Sequence, residues 1–213
     1  MINCDFCEIV NNKRLDLAQG VILYEDELLT IFPARGAPVS GYLMIIVNRH
    51  CNSFAELSCE ELKHVDEVIN NIKILYKKHF NIDSILLEHG STKNGRHPKS
   101  IVHAHLHLIP FNFNNNIENE LMQNLKLKSI SKHHDIIKSA GKDYWFYCNP
   151  SGKCHLSVNV LDAPRSIFMN LIAKQIGMDL PYEWRIEKTN ELFIDEMKEV
   201  FKDFRAKTKH KEV

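Results

Sequence analysis

Three histidines alternate with apolar residues in His103-Ala-His105-Leu-His107-Leu-Ile-Pro110, and Ile101 and Val102 extend the apolar run upstream. Such a stretch is predicted to form a buried strand. A strand turns successive side chains to opposite faces, so all three imidazoles are expected on one face and the small or apolar residues on the other. A row of titratable rings is a poor way to line a core. Imidazole is, however, the side chain best suited to metal ligation, proton transfer and nucleophilic attack near neutral pH. The chain has 12 histidines, but chance clustering does not account for strict alternation inside an apolar run.

The rest of the first half supplies partners for that strand. Val21–Tyr24 and Leu28–Phe32 are short β-rich runs separated by Glu25-Asp-Glu27, the pattern of a hairpin. A Pro/Gly/Ala-rich loop runs from Pro33 to Gly41, and Tyr42–Val47 is a continuous apolar strand fit for mid-sheet. Ser58-Cys-Glu-Glu61 has capping-box spacing, and Leu62, Val65, Ile69, Ile72 and Tyr76 recur every three or four residues behind it. This predicts a long helix over Glu60 to Lys78 with one buried stripe. Ile85–Glu88 is the next strand, followed by a polar loop from His89 to Lys99. Short strands with one intervening helix fit an α+β domain with a mainly antiparallel sheet.

Asn112-Phe-Asn-Asn-Asn-Ile117 is a polar break, so a domain over 1–112 and an α/β extension over 113–213 are expected. In the extension, Tyr144–Cys148 and His155–Val160 flank the turn residues Asn149-Pro-Ser-Gly152. Pro164 opens a predicted helix that Gly177 ends, and a last helix runs from about Thr189 to Phe204.

Lys+Arg and Asp+Glu both number 27, so no net basic character signals general nucleic-acid affinity, and phosphate binding has to be local. The N-terminus lacks a basic region followed by a long apolar run, so neither a signal peptide nor a membrane span is expected. Six cysteines without such a signal fit thiols or metal in a reducing cytoplasm. Cys4 and Cys7 form a C-x-x-C pair whose thiolates can reach one ion, or are two unrelated buried thiols.

The triad segment resembles the histidine-triad (HIT) signature, His-φ-His-φ-His-φ-φ with φ apolar. Cys4-Asp-Phe-Cys7-Glu-Ile, Tyr24-Glu-Asp and Gly41-Tyr-Leu-Met-Ile-Ile-Val-Asn-Arg-His50 follow that family's order in its N-terminal half. The second half is similar to a C-terminal extension found in one branch of the family. The resemblance implies nucleotide binding and cleavage or transfer at an α-phosphate. His105 would be the nucleophile, His107 a hydrogen-bonding group near the phosphate or leaving group, and Ser100 a phosphate or leaving-group contact. It also implies a structural Zn2+ held by Cys4, Cys7, His50 and His103, and a homodimer paired through the long helix and the neighbouring sheet edge.

Ile31 and Phe32 are candidates for an apolar wall against a nucleobase, although both are equally explained as core. The chain departs from the family at several positions. Ala34 stands where a ribose-binding carboxylate is usual, Tyr42 follows Gly41 where histidine is usual, Glu88 replaces an asparagine, and Lys99 replaces a glutamine. Glu88 and Lys99 are taken as substrate-binding candidates. The alternatives are a slow or inactive nucleotide-binding regulator, and a metalloenzyme with all three histidines on one catalytic ion. The second lacks an accompanying carboxylate motif.

Overall fold

The structure, a computed structural model, describes residues 4–12, 14–92, 101–159, 163–164, 166–183 and 190–208. Its centre is one sheet of eight strands in the order β1-β2-β3-β5-β4-β7-β8-β6. The strands are β1 (Tyr24–Glu25), β2 (Leu29–Pro33), β3 (Leu43–Val47), β4 (Ile85–Gly90), β5 (His105–Ile109), β6 (Lys128–Ile130), β7 (Tyr144–Cys148) and β8 (Cys154–Val158). Every pairing is antiparallel. Among the described residues five α-helices flank it: α1 (Asp5–Asn12), α2 (Cys59–Phe80), α3 (Asn115–Asn124), α4 (Ile167–Gln175) and α5 (Glu191–Thr208). This is the expected α+β class.

Period-2 alternation divides the sheet into two packed faces. Ile31, Ile45, Leu106, Leu108, Leu86 and Phe146 pack with the stripes of α2 and α5. Phe32, Met44, Ile46, Leu87, Ile109, Trp145 and Tyr147 pack with α1, α3 and α4 on the other. The long helix begins where the capping box predicts. Ser58 accepts from the Glu61 amide at 3.1 Å and Glu61 accepts from the Ser58 amide at 2.7 Å, a device worth about 1 kcal/mol.

Three sequence expectations change. The triad strand starts only at His105, leaving His103 in the approach to it. Strand β4 runs two residues past Glu88, which puts His89 in the sheet. The polar break is a helix start, with Asn114 accepting from the Ile117 amide at 2.9 Å as the N-cap of α3.

The segments either side of residue 112 share the sheet, because β7 pairs with β4 over five residues, from Leu86↔Cys148 to Gly90↔Tyr144. Gly90 makes this possible, since a Cβ there would lie 2.1 Å from the Tyr144 ring. Helix α2 is contacted by α5, and His133 Nδ1 and His134 Nε2 reach Asp66 on α2 at 2.7 and 2.8 Å. The open edge of β4 and part of α2 are therefore covered by the chain's own C-terminal half. An edge strand has one free row of hydrogen-bonding groups, and β7 takes it. No helix among the described residues is long and apolar enough to cross a membrane.

Candidate functional site

The site lies on the α1 side of the sheet, where β5 presents His105 and His107. In the strand register His105 faces Ile46, and His107 lies between Met44 of β3 and Leu87 of β4. Both rings are part-buried, and burial holds both below the ordinary imidazole range. Each is therefore neutral at neutral pH, with one nitrogen protonated.

Hydrogen bonds decide which nitrogen that is. His105 Nδ1 lies 2.7 Å from the His103 carbonyl oxygen. A carbonyl only accepts, so Nδ1 carries the hydrogen and Nε2 keeps its lone pair. His107 Nδ1 lies 2.8 Å from the Tyr42 hydroxyl. Tyr42 is buried, and burial pushes its ionisation above the phenol range, so it remains O–H. Among the described residues Nδ1 is the one acceptor recorded for that hydroxyl. With Tyr42 donating to Nδ1, His107 carries its hydrogen on Nε2. The result is an unprotonated ring nitrogen beside a neighbouring imidazole, the two centroids 5.1 Å apart.

Cys4, Cys7, His50 and His103 come together beside this pair, their ligating atoms all within 4.8 Å of one another. Cys4 Sγ to His103 Nδ1 is 3.4 Å, Cys7 Sγ to His50 Nδ1 is 3.2 Å, and Cys7 Sγ to His103 Nδ1 is 3.5 Å. A tetrahedral ion with nitrogen and sulfur ligands at about 2.0–2.3 Å sets sulfur–nitrogen edges near 3.6 Å, so the four donors fit one ion. His103 Nε2 donates to the Val47 carbonyl at 2.7 Å, which leaves Nδ1 free of a proton to ligate. His103 reaches the cluster because it precedes β5 and does not follow the strand's alternation.

Phe6, between the two cysteines of the pair, links this cluster to the histidine pair. Its ring lies edge-on to His103 at 5.6 Å, to His105 at 5.4 Å and to Phe32 at 6.0 Å.

Two other site candidates are corrected. Glu88 is fully buried on the helix face, where it accepts from the Phe54 amide at 2.8 Å and the Tyr144 hydroxyl at 2.5 Å. Burial pushes its pKa up to about 8, and these two donors pull against that. It is a core carboxyl that anchors β7 and the Phe54 turn to β4. Ile31 likewise points to the helix side, one residue out of phase with the site. Phe32 does face the site side, but it is buried and covered by Phe6. Lys99 and Ser100 lie outside the described residues.

The sequence reading missed Tyr42 as a contact of His107, and it missed His89 and Trp145. His89 is on the same face of β4 as Leu87, and its ring stacks on Trp145 of β7 at 3.9 Å and 1°. Trp145 also touches Phe168 of α4 at 5.5 Å. The C-terminal half therefore walls one side of the site. The apolar run of β4, read two residues further, would have exposed His89.

Residues 3–123 match the family described as "Scavenger mRNA decapping enzyme C-term binding". A HIT-like protein of Methanocaldococcus jannaschii is 25% identical over 108 residues, 50% of this chain and 78% of that protein. Among solved structures, a HIT-like protein involved in cell-cycle regulation from Bartonella henselae is 22% identical, covers 51% of this chain and 79% of that one, and has a TM-score of 0.41. A Zn-bound histidine triad family protein from Mycobacterium smegmatis is 19% identical over 53% of this chain and 78% of its own, with a TM-score of 0.41. With the family model matched over more than half of the chain and the triad held as described, this chain belongs to the histidine-triad family.

Proposed function

We propose that the protein binds a nucleotide and cleaves or transfers it at the α-phosphate through a nucleotidyl-His105 intermediate. Dinucleoside polyphosphates and nucleoside phosphoramidates are the substrate types. The observation that carries this reading is the 2.7 Å hydrogen bond from His105 Nδ1 to the His103 carbonyl, which leaves Nε2 as the nucleophile.

In the first step the Nε2 lone pair forms a bond to phosphorus, and the bond from phosphorus to the leaving oxygen or nitrogen breaks. The carbonyl on Nδ1–H steadies the positive charge that develops on the ring. The Nε2–H of His107 donates to the phosphate or leaving-group atom. In the second step water, or another acceptor, attacks phosphorus and the P–N bond breaks, restoring His105. Splitting one displacement into two is the advantage of the covalent route.

The four-residue cluster is proposed to hold a structural Zn2+. Four protein ligands close its coordination, so the ion's part is to pin α1 and Phe6 against the triad strand.

The test is to incubate the protein with a nucleoside phosphoramidate or dinucleoside polyphosphate, quench, and map the adduct by mass spectrometry. A nucleotidyl group on His105 is expected, and His105→Ala should abolish turnover while nucleotide binding is largely kept. Near-wild-type turnover by His105→Ala on a substrate the protein cleaves would overturn the mechanism.

A further inference from the structure

Away from the triad site, the β7–β8 hairpin carries a second reactive pair. Cys148 and Cys154 are register partners across that hairpin. The adjacent pair, Asn149 and Lys153, closes the turn through Asn149 N donating to the Lys153 carbonyl at 3.0 Å. Ladder hydrogen bonds alternate along antiparallel strands, so Cys148 and Cys154 occupy the next, non-hydrogen-bonded position, where side chains approach most closely. The Cα separation there is about 4.5 Å, inside the range a disulfide spans. Both thiols are free and buried, and their sulfurs lie 2.6 Å apart, closer than van der Waals contact.

We propose that Cys148 and Cys154 are a reversible redox site, a dithiol that a small peroxide converts to a cross-strand disulfide. The Cys148 thiolate attacks one oxygen of hydrogen peroxide; the O–O bond breaks, hydroxide leaves, and Cys148 becomes a sulfenic acid. The Cys154 sulfur then attacks the Cys148 sulfur; the S–O bond breaks, and the oxygen leaves as water with the Cys154 proton. In sum two thiols and one peroxide give one disulfide and two waters. Two electrons pass from sulfur to oxygen, and a dithiol reductant reverses the change.

The surroundings favour this order. The Cys148 thiol is lowered because its thiolate accepts from the Cys154 S–H, which outweighs the opposing effect of burial, while Lys73 and Asp66 pull in opposite directions. Cys154 is correspondingly raised. The other cysteines lack this arrangement. Burial pushes Cys51 up to about 12, and Cys59 is exposed at the start of α2. Cys4 and Cys7 face imidazoles. Asp66 near the pair is engaged by His133 and His134.

The experiment treats the intact, metal-replete protein with a small excess of hydrogen peroxide, removes the peroxide, unfolds the chain in guanidinium with an alkylating agent present so that every remaining thiol is blocked, and digests it with trypsin without reduction. Lys153 lies between the two cysteines, so cleavage there turns the disulfide into two linked peptides. The expected result is a Cys148–Cys154 linked pair that separates with dithiothreitol, and at least a tenfold lower alkylated fraction at these positions than at Cys51. In Cys154→Ser, Cys148 should stop at a sulfenic acid that dimedone traps. Alkylation of both cysteines in the wild type, or Cys148 accumulating as sulfinic acid without a link, would overturn the proposal.

Discussion

The hydroxyl of Tyr42 is the contact on which the proposed donor role of His107 depends, so Tyr42→Phe is the sharpest perturbation of the site. The substitution removes one oxygen and keeps the ring that lies edge-on to His107 at 5.7 Å. It leaves the buried Nδ1 without the donor now at 2.8 Å. An acceptor stranded in this way costs about 1–3 kcal/mol. The ring can escape that cost by moving its hydrogen to Nδ1, but Nε2 then loses the hydrogen it offers to the phosphate. Either route is expected to lower kcat about 5- to 150-fold with little change in KM, the pattern of an interaction used in the transition state. Steady-state rates on a phosphoramidate substrate measure this. Imidazole 15N NMR measures the tautomer without any turnover. In the wild type His107 should show protonated Nε2, and in Tyr42→Phe a mixture or the opposite tautomer. Tyr42→His, which restores a ring N–H donor, should recover part of the loss. A kcat within twofold of wild type together with an unchanged 15N spectrum would refute the reasoning.

Four further outcomes are expected. Glu88 has its folded-state pKa raised from 4.5 to about 8, so its contribution to stability is fully present below about pH 4.5 and is lost as pH rises through 8; denaturation of wild type and Glu88→Gln across pH 4–9 should show roughly 5 kcal/mol of that decline in the wild type alone. Elemental analysis should find one zinc per chain, Cys4→Ala with Cys7→Ala should lose it, and turnover should fall in that variant because Phe6 no longer braces His105; full zinc retention would contradict the ligand set. Ribo- and deoxyribonucleotides should bind within about tenfold, under roughly 1.4 kcal/mol, because Ala34 offers no acceptor and Asp26 is already engaged by Tyr24, His64 and the Leu28 and Leu29 amides; paired titrations giving a hundredfold ribose preference would reject this. Light scattering at micromolar concentration should give the mass of one chain, since β7 fills the open edge of β4; a dimer mass would point to a different interface.

The histidine pair was legible in the sequence because alternation along a strand is local. Once residues 105–109 are a strand, the shared face of His105 and His107 follows from its two-residue period. Ser58 and Glu61, three residues apart, likewise announce the start of α2, and the Cys4-x-x-Cys7 spacing marks half of the Cys/His cluster. None of these signals says which strand lies beside which, or which face of the sheet is covered. The pairing of β7 with β4 joins residues more than fifty positions apart and depends on an edge left open by the first half. That pairing buries Glu88 under Tyr144 and brings Trp145 onto His89. The contact of Tyr42 with His107 spans 65 residues and exists because β3 and β5 are neighbours. Periodicity therefore determined which side chains share a face. Only the tertiary structure decided which of those faces carry the site, because the partners of a buried polar group are chosen by the packing of segments distant in the chain.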